Sequence, residues 1–425
     1  MTESPNRSTG NGTGAVLNPS RHREGGAVLI AAQSGRALAR AARRAGLRPF
    51  VLDLFGDEDT LALAESHRTL PGRFGAGTRD RAGVLSALSA LSQQAGGTEL
   101  GIVLGSGFEG APDLIAEIGD RHRLLGAAPE TIEVLKDPFR LAALCARLMI
   151  PHPAITVGPV ADRDAWLVKR IGGCGGSHIR ASATGATPPG HYLQARMPGR
   201  AFALNFLSDG RRIETLALTE QWQAPSPLRP FRYAGALARG RDEAEPIPTA
   251  IVARIAEAAL RLARETGLTG LASADCLVEG ERWWLLEINP RPGATLDVLD
   301  RRPTPLLLQH IEASLGRMPA IEASPTDATG AEICYAARTC PAMPPLDWPD
   351  HVHDRPRVGS PVARDAPLCT VTASGPEAGT VKEELRRRTA QVRALLEETE
   401  NSHEFQHERP EPQRPGGAAG REPRR

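Results

Sequence analysis

An apolar segment that ends in three polar side chains places the strongest constraint on the fold. Successive side chains of an extended chain point to opposite faces, so Glu287 and Asn289, with Arg291 next in the series, share one face of a predicted strand. Leucine and isoleucine occupy the other face, and the prolines at 290 and 292 fix the chain as it leaves the strand. The pattern predicts a sheet with one face on a core and the other carrying oxygen ligands beside a guanidinium.

The segment before this strand adds a second carboxylate. Residues 273–278 and 283–287 are predicted to form a hairpin that turns near Gly280. This pairing sets Asp275 roughly opposite Glu287, at a spacing of about 5 Å, and two carboxylates held that close need a cation between them. Mg²⁺ prefers such oxygen ligands. An ordinary hairpin with a polar outer face explains the pattern equally well, so other segments have to decide.

The use of lysine is unusually sparse. The chain has 51 lysine and arginine residues, of which three are lysine, namely Lys136, Lys169 and Lys382. Where arginine fills nearly every cationic position, a lysine indicates a need for a compact point charge, such as contact with a phosphate. Lys136 precedes a predicted helix over 139–149 with Asp137 as N-cap, where a solvated lysine is the simpler alternative. Lys382 is predicted to be a solvated residue of a charged helix.

A glycine-rich turn follows Lys169, which ends a short apolar strand. The turn contains Gly172, Gly173, Gly175 and Gly176 and leads into a second predicted strand. Such a turn can lay backbone N–H groups over phosphates, although its spacing is not that of a Walker loop or a dinucleotide-binding loop. A flexible surface hairpin is the alternative.

Taken in order, the two lysines, the glycine turn, a strand end at residues 194–197 and the hairpin resemble the ATP-grasp superfamily over roughly residues 129–310. The resemblance implies that Lys136 and Lys169 contact nucleotide phosphates and that the glycine turn closes over them. It also implies the residues that hold adenine, which are Gln194, Ala195, Arg196 and Met197. Ala195 and Ala201 stand where many members carry an acidic residue for adenine or ribose.

The resemblance further implies a metal site and a reaction. Mg²⁺, with Mn²⁺ as an alternative, would be bound by Asp275, Glu287 and Asn289, and the expected catalytic residues are Arg291 and Lys169. Within the superfamily the chain looks most similar to carboxylate-amine ligases. These activate a substrate carboxylate with ATP as an acyl phosphate, which an amine captures with release of ADP and phosphate. A non-catalytic ATP-binding or regulatory module is an alternative.

A narrower resemblance concerns the start of the chain. Residues 33–39 and 53–57 resemble ATP-grasp proteins associated with tetrahydromethanopterin-dependent one-carbon metabolism, which would imply biosynthesis of a one-carbon cofactor. The same region is predicted to form a β-α-β unit with a helix over 34–45. An NAD-binding oxidoreductase, with Asp53 holding the ribose, is a rival hypothesis. It is weakened because the turn has one glycine where the dinucleotide fingerprint has three, and we expect Asp53 to be a strand-end residue.

The predicted fold class is α/β and α+β multidomain: an N-terminal parallel α/β domain of the pre-ATP-grasp type, an ATP-grasp fold and a small C-terminal extension. The predicted boundaries are a disordered tail over 1–25, the N-terminal domain over 26–128, the ATP-grasp domain over 129–320, the extension over 321–398 and a disordered tail over 399–425. The extension is predicted to contain strands at 333–337 and 368–373 and a helix that begins with a capping box of Thr380 and Glu383. Helix 250–266 is predicted to have Thr249 as its cap and Gly267 as its end.

Composition narrows the partners and the compartment. The formal net charge of +1 does not favour nucleic acid or an anionic membrane, and no apolar run approaches the length of a membrane span. The six cysteines include no CxxC pair, which is typical of a reduced cytoplasm. We expect a cytoplasmic protein that acts on a small-molecule carboxylate and amine, with a homodimer among the assemblies it allows. A proline-rich loop over 220–233 is predicted either to grip substrate with Arg229 or Arg232 or to be a plain connection.

Overall fold

The computed structural model describes residues 25–72, 74, 80–182 and 186–407, with side chains described as far as residue 397. Residues 1–24 and 408–425, which contain most of the two predicted tails, lie outside these ranges. Within the described residues, none of the helices is both long enough and apolar enough to cross a membrane.

The N-terminal part is a parallel sheet covered by helices. Its strands follow the order β3-β2-β1-β4, and all three pairings are parallel. Every residue of β1 is buried, as expected for a strand covered on both faces. The prediction of a parallel α/β domain is confirmed. In chain order the elements are β1 (Ala27–Ala31), α1 (Arg36–Arg44), β2 (Arg48–Asp53), α2 (Glu58–Leu63), β3 (Ser66–Thr69), α3 (Arg81–Gln94), β4 (Ile102–Leu104) and α4 (Pro112–Gly119).

Two helices then lead into a small antiparallel sheet. The elements are α5 (Pro129–Lys136), α6 (Pro138–Arg147), β5 (Ile155–Thr156), β6 (Trp166–Arg170), β7 (Ile179–Ala181) and β8 (His191–Ala195). Asp137 caps α6, because its carboxylate accepts hydrogen bonds from the N–H groups of Phe139 and Arg140, both at 2.9 Å. The predicted cap is confirmed. The strand order is β5-β8-β6-β7, and the glycine turn connects β6 to β7.

The rest of the chain builds a large antiparallel sheet. In chain order its elements are β9 (Arg200–Asp209), β10 (Ile213–Gln223), β11 (Tyr233–Ala238), α7 (Thr249–Thr266), β12 (Thr269–Glu279), β13 (Arg282–Asn289), α8 (Leu296–Leu299), α9 (Leu306–Ser314), β14 (Ala328–Tyr335), β15 (Val352–His353), β16 (Pro367–Gly375) and α10 (Ala378–His407). The strand order is β13-β12-β9-β10-β11-β14-β16-β15. The predicted hairpin is therefore β12 and β13 at one end of this sheet.

The C-terminal segment is continuous with the same sheet. The antiparallel pairing of β11 with β14 joins it to the hairpin side, and α10 packs on β14 and β16. The two strands predicted in this segment correspond to β14 and β16. Local patterns gave no indication of this continuity, because the pairing links residues that are about a hundred positions apart.

Helix starts were predicted less well than helix ends. Gly267 ends α7 in the left-handed conformation, at a φ of 65°, as predicted. The start of α7 was predicted wrongly, because Pro248 is the N-cap and Thr249 lies inside the helix. The capping box was also wrong, since α10 already begins at Ala378, whose N–H donates a 2.9 Å hydrogen bond to Glu243. A distant carboxylate thus replaces the local cap.

A buried arginine ties the three parts of the chain together. The guanidinium of Arg36, in the N-terminal part, contacts both oxygens of Asp297 at 2.5 Å. It also donates to the Asp354 carboxylate, which follows β15, at 3.0 and 2.9 Å. Burial alone would raise the pKa of Asp354, but Arg36 and the hydrogen bonds hold it at about 2.

Replacing Asp354 with asparagine should lower the free energy of unfolding at pH 7 by about 2 kcal/mol, because Arg36 loses half of its charge pairing. The pKa of Asp354 is depressed on folding, so its contribution is present above about pH 4 and is lost as the pH falls towards 2. Urea unfolding of both proteins at pH 7 and near pH 2.5 checks this. The exposed Asp350→Asn is the matched control, and an equal gap at both pH values would contradict the ion-pair explanation.

Candidate active site

The residues singled out from the sequence surround one large cavity. Its volume is about 820 Å³, within the range of small-molecule sites. These residues come from several helices, strands and loops. All of the predicted site residues line the cavity: Lys136, Lys169, Gly172, Gly173, Gly175, Gly176, Gln194, Ala195, Arg196, Met197, Asp275, Glu287, Asn289 and Arg291. Residues far apart in sequence therefore meet around one space.

The hairpin brings the three oxygen donors together. Asp275 pairs directly with Glu287 across β12 and β13, in the predicted register. A register shift between Asp275 and Cys276 marks a bulge, which lies next to the carboxylates. The Asn289 amide donates a 3.0 Å hydrogen bond to Asp275, which orients the Asn289 oxygen towards the neighbouring cationic side chains.

The Lys136 ammonium contacts two of these three oxygen donors. Its ammonium donates to Glu287 at 2.9 Å and to the Asn289 side-chain oxygen at 3.2 Å. Its side chain is 6% exposed, so the alternative of a solvated lysine at a helix entrance is excluded. The position at the end of α5 aims the ammonium at the hairpin. Glu287 and the Asn289 oxygen thus face one cation, and Asp275 lies opposite Glu287. Two carboxylates and an amide oxygen at one place form a donor set that fits Mg²⁺.

The two carboxylates have opposite shifts in pKa. Burial and then Glu287 raise the pKa of Asp275 to about 7. Burial would also raise the pKa of Glu287, but Lys136 and Lys169 hold it at about 2. The proximity of the two carboxyls therefore disfavours ionisation of both at once. A divalent ion would relieve this repulsion.

Lys169 carries a buried ammonium at the cavity wall. It is 7% exposed and lines the cavity, yet its ammonium forms no hydrogen bond or ion pair with any residue that the structure describes. Burial lowers the pKa of Lys169, and the attraction of Glu287 only partly offsets this. A buried charge is costly unless it is paired, so the position favours an anionic ligand in the cavity.

The glycine turn packs closely against two other loops. Gly172 lies against the backbone of Gly110, and the carbonyl of Gly175 accepts a 2.9 Å hydrogen bond from the N–H of Tyr233. Gly172, Gly175 and Gly176 have φ values of 71°, 62° and 69°, which favour glycine. The alternative of a surface hairpin facing solvent does not describe this turn, which forms part of the cavity wall.

Gly176→Ala should destabilise the protein by about 1 to 3 kcal/mol more than Gly175→Ala and should weaken nucleotide binding. Both positions have a positive φ, so the backbone strain is matched. A Cβ at Gly176 would overlap the Phe231 carbonyl oxygen, whereas one at Gly175 meets nothing within 4 Å. Thermal unfolding and calorimetric ATP titration of the two variants check this, and equal effects would contradict the packing argument.

The predicted adenine-binding segment lies at the end of β8. Gln194 is buried at 2% exposure, and the N–H of Arg196 donates to the Ala165 carbonyl at 2.8 Å. Ala195 and Ala201 both line the cavity. This part of the wall therefore carries methyl groups at the two positions where many ATP-grasp proteins have an acidic residue. The contacts to adenine remain a prediction.

Sequence reasoning missed Glu109. This residue follows β4 and is 5% exposed, and its carboxylate forms a 2.7 Å ion pair with Arg291. Burial would raise the pKa of Glu109, but Arg291 and Lys136 lower it, so it is ionised beside the predicted phosphate region. The glycines at 105 and 107 marked the turn but gave no signal that it faces the hairpin.

Two other predicted contacts have different outcomes. Arg229 and Arg232 do not line the cavity, since both donate to the Asp365 carbonyl, at 3.0 and 3.3 Å, and Arg232 also pairs with the Asp365 carboxylate. Their loop is thus a connection to the C-terminal segment. Asp53 is fully buried at the end of β2 and accepts hydrogen bonds from the N–H groups of Gly35 and Gly56. It is the expected strand-end residue, and it is not placed to hold a ribose.

Comparison with known proteins agrees with this geometry. A sequence model of the ATP-grasp domain matches residues 141–295. The match begins after Lys136 and includes Lys169, the glycine turn and the hairpin.

Solved structures share the fold over most of the chain. The biotin carboxylase domain of Hydrogenobacter thermophilus 2-oxoglutarate carboxylase, solved with MgADP, ADP and bicarbonate, is 12% identical with a TM-score of 0.64, covering 86% of this chain and 90% of that one. L-amino acid ligase from Bacillus licheniformis is 13% identical with a TM-score of 0.61, covering 86% and 97%. N5-carboxyaminoimidazole ribonucleotide synthetase from Thermus thermophilus is 17% identical with a TM-score of 0.60, covering 87% and 98%.

Identities of this size show a common fold and no more. The domain match adds the sequence itself, over the residues that form the cavity from β6 to the hairpin. Residues 141–295 of the chain therefore form an ATP-grasp domain.

Proposed function

We propose that the chain is an ATP- and magnesium-dependent ligase that activates a substrate carboxylate and joins it to an amine. A carboxylate oxygen attacks the γ-phosphorus, and the bond from that phosphorus to the bridging oxygen of ADP breaks. The amine nitrogen then attacks the acyl carbon, phosphate leaves, and the nitrogen loses a proton. No protein nucleophile is required, because positioning and charge stabilisation can supply the catalysis.

The observation that carries this proposal is Lys169, whose ammonium has no partner among the described residues. A buried ammonium faces a cavity whose wall also holds glycine turns and hard oxygen donors. A polyphosphate would supply the missing anion, while the N–H groups of the glycine turn could contact phosphate oxygens. Positive charge at such a site stabilises the negative charge on the phosphoryl group as it is transferred.

Asp275, Glu287 and Asn289 would hold the metal. Mg²⁺, with Mn²⁺ as a substitute, supplies charge to the phosphate oxygens when bound. Lys136 now contacts two of these donors, so it would share Glu287 and Asn289 with the metal or move towards the phosphates. Its ammonium neutralises the same developing charge in either position.

Arg291 is proposed to steady the acyl phosphate. Its Nε is committed to Glu109 at 2.7 Å, which fixes the plane of the guanidinium next to Asn289. Nη2 also donates to the Asn289 side-chain oxygen at 3.4 Å, and the other N–H donors can face a phosphoryl oxygen. The ion pair thus holds the Arg291 guanidinium in place before the phosphate binds, so less side-chain entropy is lost on binding.

Two alternatives are less well supported. A non-catalytic ATP-binding module would not need the hairpin donors, yet Glu287 and Asn289 contact one ammonium and Asp275 lies directly opposite Glu287. An NAD-dependent oxidoreductase would need Asp53 for the ribose, and that carboxylate is buried with its hydrogen bonds satisfied inside the N-terminal part. The ligase explains both the cavity and its charges.

The substrates are proposed at the level of class. The neighbours include an L-amino acid ligase and a carboxylase solved with bicarbonate, so both organic acids and bicarbonate are candidates for the acid. A role in making a one-carbon cofactor rests on the resemblance of residues 33–39 and 53–57. We further propose a cytoplasmic enzyme of small-molecule metabolism, active as a monomer or a homodimer.

Calorimetric titration of ATP with and without Mg²⁺ tests the proposal, using wild type, Lys169→Ala and Glu287→Ala. We expect magnesium-dependent binding in wild type and its loss in both variants. ADP release is then screened over carboxylate and amine pairs, with bicarbonate as one acid. If wild type binds no ATP, the ligase proposal is wrong. If it binds ATP but no pair releases ADP, the non-catalytic module is favoured.

A further inference from the structure

The cavity continues beyond the proposed nucleotide and metal residues. Its far wall is formed by the loops that follow β1, β2 and β4 at the carboxyl ends of the parallel sheet, and by residues from 354 to 370 in the C-terminal segment. The strand order β3-β2-β1-β4 reverses between β1 and β4. Ligands of open parallel sheets bind outside the carboxyl ends of the strands at such a reversal.

This far wall carries an excess of carboxylates. Asp297 and Asp354 share the Arg36 guanidinium, and Asp297 also receives Arg40 at 2.8 Å. Asp59, which does not itself line the cavity, accepts hydrogen bonds from the N–H groups of Asp354 and Arg355, at 2.8 and 3.1 Å. The buried guanidinium and these backbone donors are therefore already used.

Among the described residues of this wall, Asp57 is the carboxylate for which no partner is found. It lines the cavity and is 6% exposed, and its side chain forms no hydrogen bond or ion pair with the described part of the chain. Burial, followed by the nearby Asp354, Asp53 and Asp59, raises the pKa of Asp57 to about 8, and Arg36 opposes this only in part. A buried carboxylate in this position is unfavourable unless a cation reaches it through the cavity.

We propose that Asp57 binds a positively charged amino group of the amine substrate, at the end of the cavity formed by the N-terminal and C-terminal parts. The inference rests on the proposed ligase and adds the chemical class of its second substrate, a cationic amine. A neutral amide or alcohol would leave the carboxylate without a charge partner. An ammonium group supplies both the charge and hydrogen-bond donors. An ammonium nitrogen has no lone pair, so the nitrogen that attacks the acyl phosphate is either a second, uncharged amino group or the same group after it has transferred a proton to the Asp57 carboxylate.

The test compares wild type with Asp57→Asn, which keeps the shape of the side chain and removes its charge. The probes are ethanolamine, putrescine, lysine and ornithine, each added with MgADP, and ethylene glycol serves as a neutral probe. The melting temperature of both proteins is measured with each probe. For wild type, ADP release is also measured with ATP, each amine and a panel of carboxylates. We expect at least one amine to raise the melting temperature of wild type. The apparent affinity of Asp57→Asn for that amine should be at least tenfold weaker than that of wild type.

Controls separate this inference from the ligase proposal and from simple misfolding. Asp57→Asn must keep magnesium-dependent ATP binding, and the exposed Asp120→Asn should respond to amines as wild type does. Without an amine, the melting temperature of wild type should fall more between pH 5 and pH 8 than that of Asp57→Asn, because folding raises the pKa of Asp57. Equal amine binding by both proteins, or no amine binding by wild type, overturns the inference while ATP binding can still stand. Loss of ATP binding in wild type overturns the ligase proposal instead.

Discussion

Lys169→Met should lower kcat/KM for ATP by about 100- to 1,000-fold, because it removes a preorganised cation from the proposed phosphoryl-transfer site. The loss should appear in ATP binding as well as in turnover, since Lys169 has no direct partner among the described residues that could already consume its charge. Magnesium-dependent ATP titration and initial-rate kinetics with an active substrate pair measure both effects.

The same substitution should stabilise the protein in the absence of ligand. Burial lowers the pKa of Lys169, which means that the charged ammonium is disfavoured in the folded state. Methionine keeps most of the side-chain volume and removes the charge, so the free energy of unfolding should rise by about 1 kcal/mol at pH 7. The wild-type cost is largest where the ammonium is charged and shrinks as the pH rises through its lowered pKa.

Lys382→Met provides the matched control. This lysine lies outside the cavity in α10 and pairs with Glu220 at 2.6 Å, with 31% of its side chain exposed. The change should leave ATP kinetics within about twofold of wild type and should not raise stability. If Lys169→Met and Lys382→Met behaved alike, Lys169 would have no special function in the site.

Local patterns predicted the parts of this molecule whose partners are close in sequence. The alternation along β13 and the short turn at Gly280 fix the register that places Asp275 opposite Glu287, since a slip of one residue would bury the carboxylates. Asp137 and Gly267 likewise bound their helices through local geometry. The scarcity of lysine identified two positions that both proved to be buried in the cavity wall.

Contacts between distant segments were not accessible in the same way. Glu109 and Arg291 are separated by 182 positions, and nothing in either local pattern indicates the other. For Lys136 the family resemblance implied contact with nucleotide phosphates, and its contact with Glu287, 151 positions away, was not predicted. Asp57 lies in a turn whose polar residues look ordinary until the C-terminal segment covers them. These features depend on how the sheets meet, which alternation and turn chemistry do not determine.

Glu287→Gln is expected to reduce turnover by at least 1,000-fold and to destabilise the ligand-free protein by about 2 kcal/mol. The substitution removes one carboxylate from the proposed metal site. It also leaves the Lys136 ammonium, 6% exposed, without its 2.9 Å charge partner. The stability cost is below that of a fully buried pair, because the Glu287 side chain is 32% exposed and partly screened by water.

A double-mutant cycle with Lys136→Met separates the two roles of Glu287. Removing both charges should recover about 1 to 2 kcal/mol relative to the sum of the single changes, because no buried charge is left alone. Turnover should not recover, since the carboxylate that would bind Mg²⁺ is still absent. Urea unfolding of the four proteins and ADP-release kinetics over a range of Mg²⁺ concentrations measure these effects. Recovery of turnover in the double variant would show that Glu287 serves only to neutralise Lys136, and the metal assignment would then be wrong.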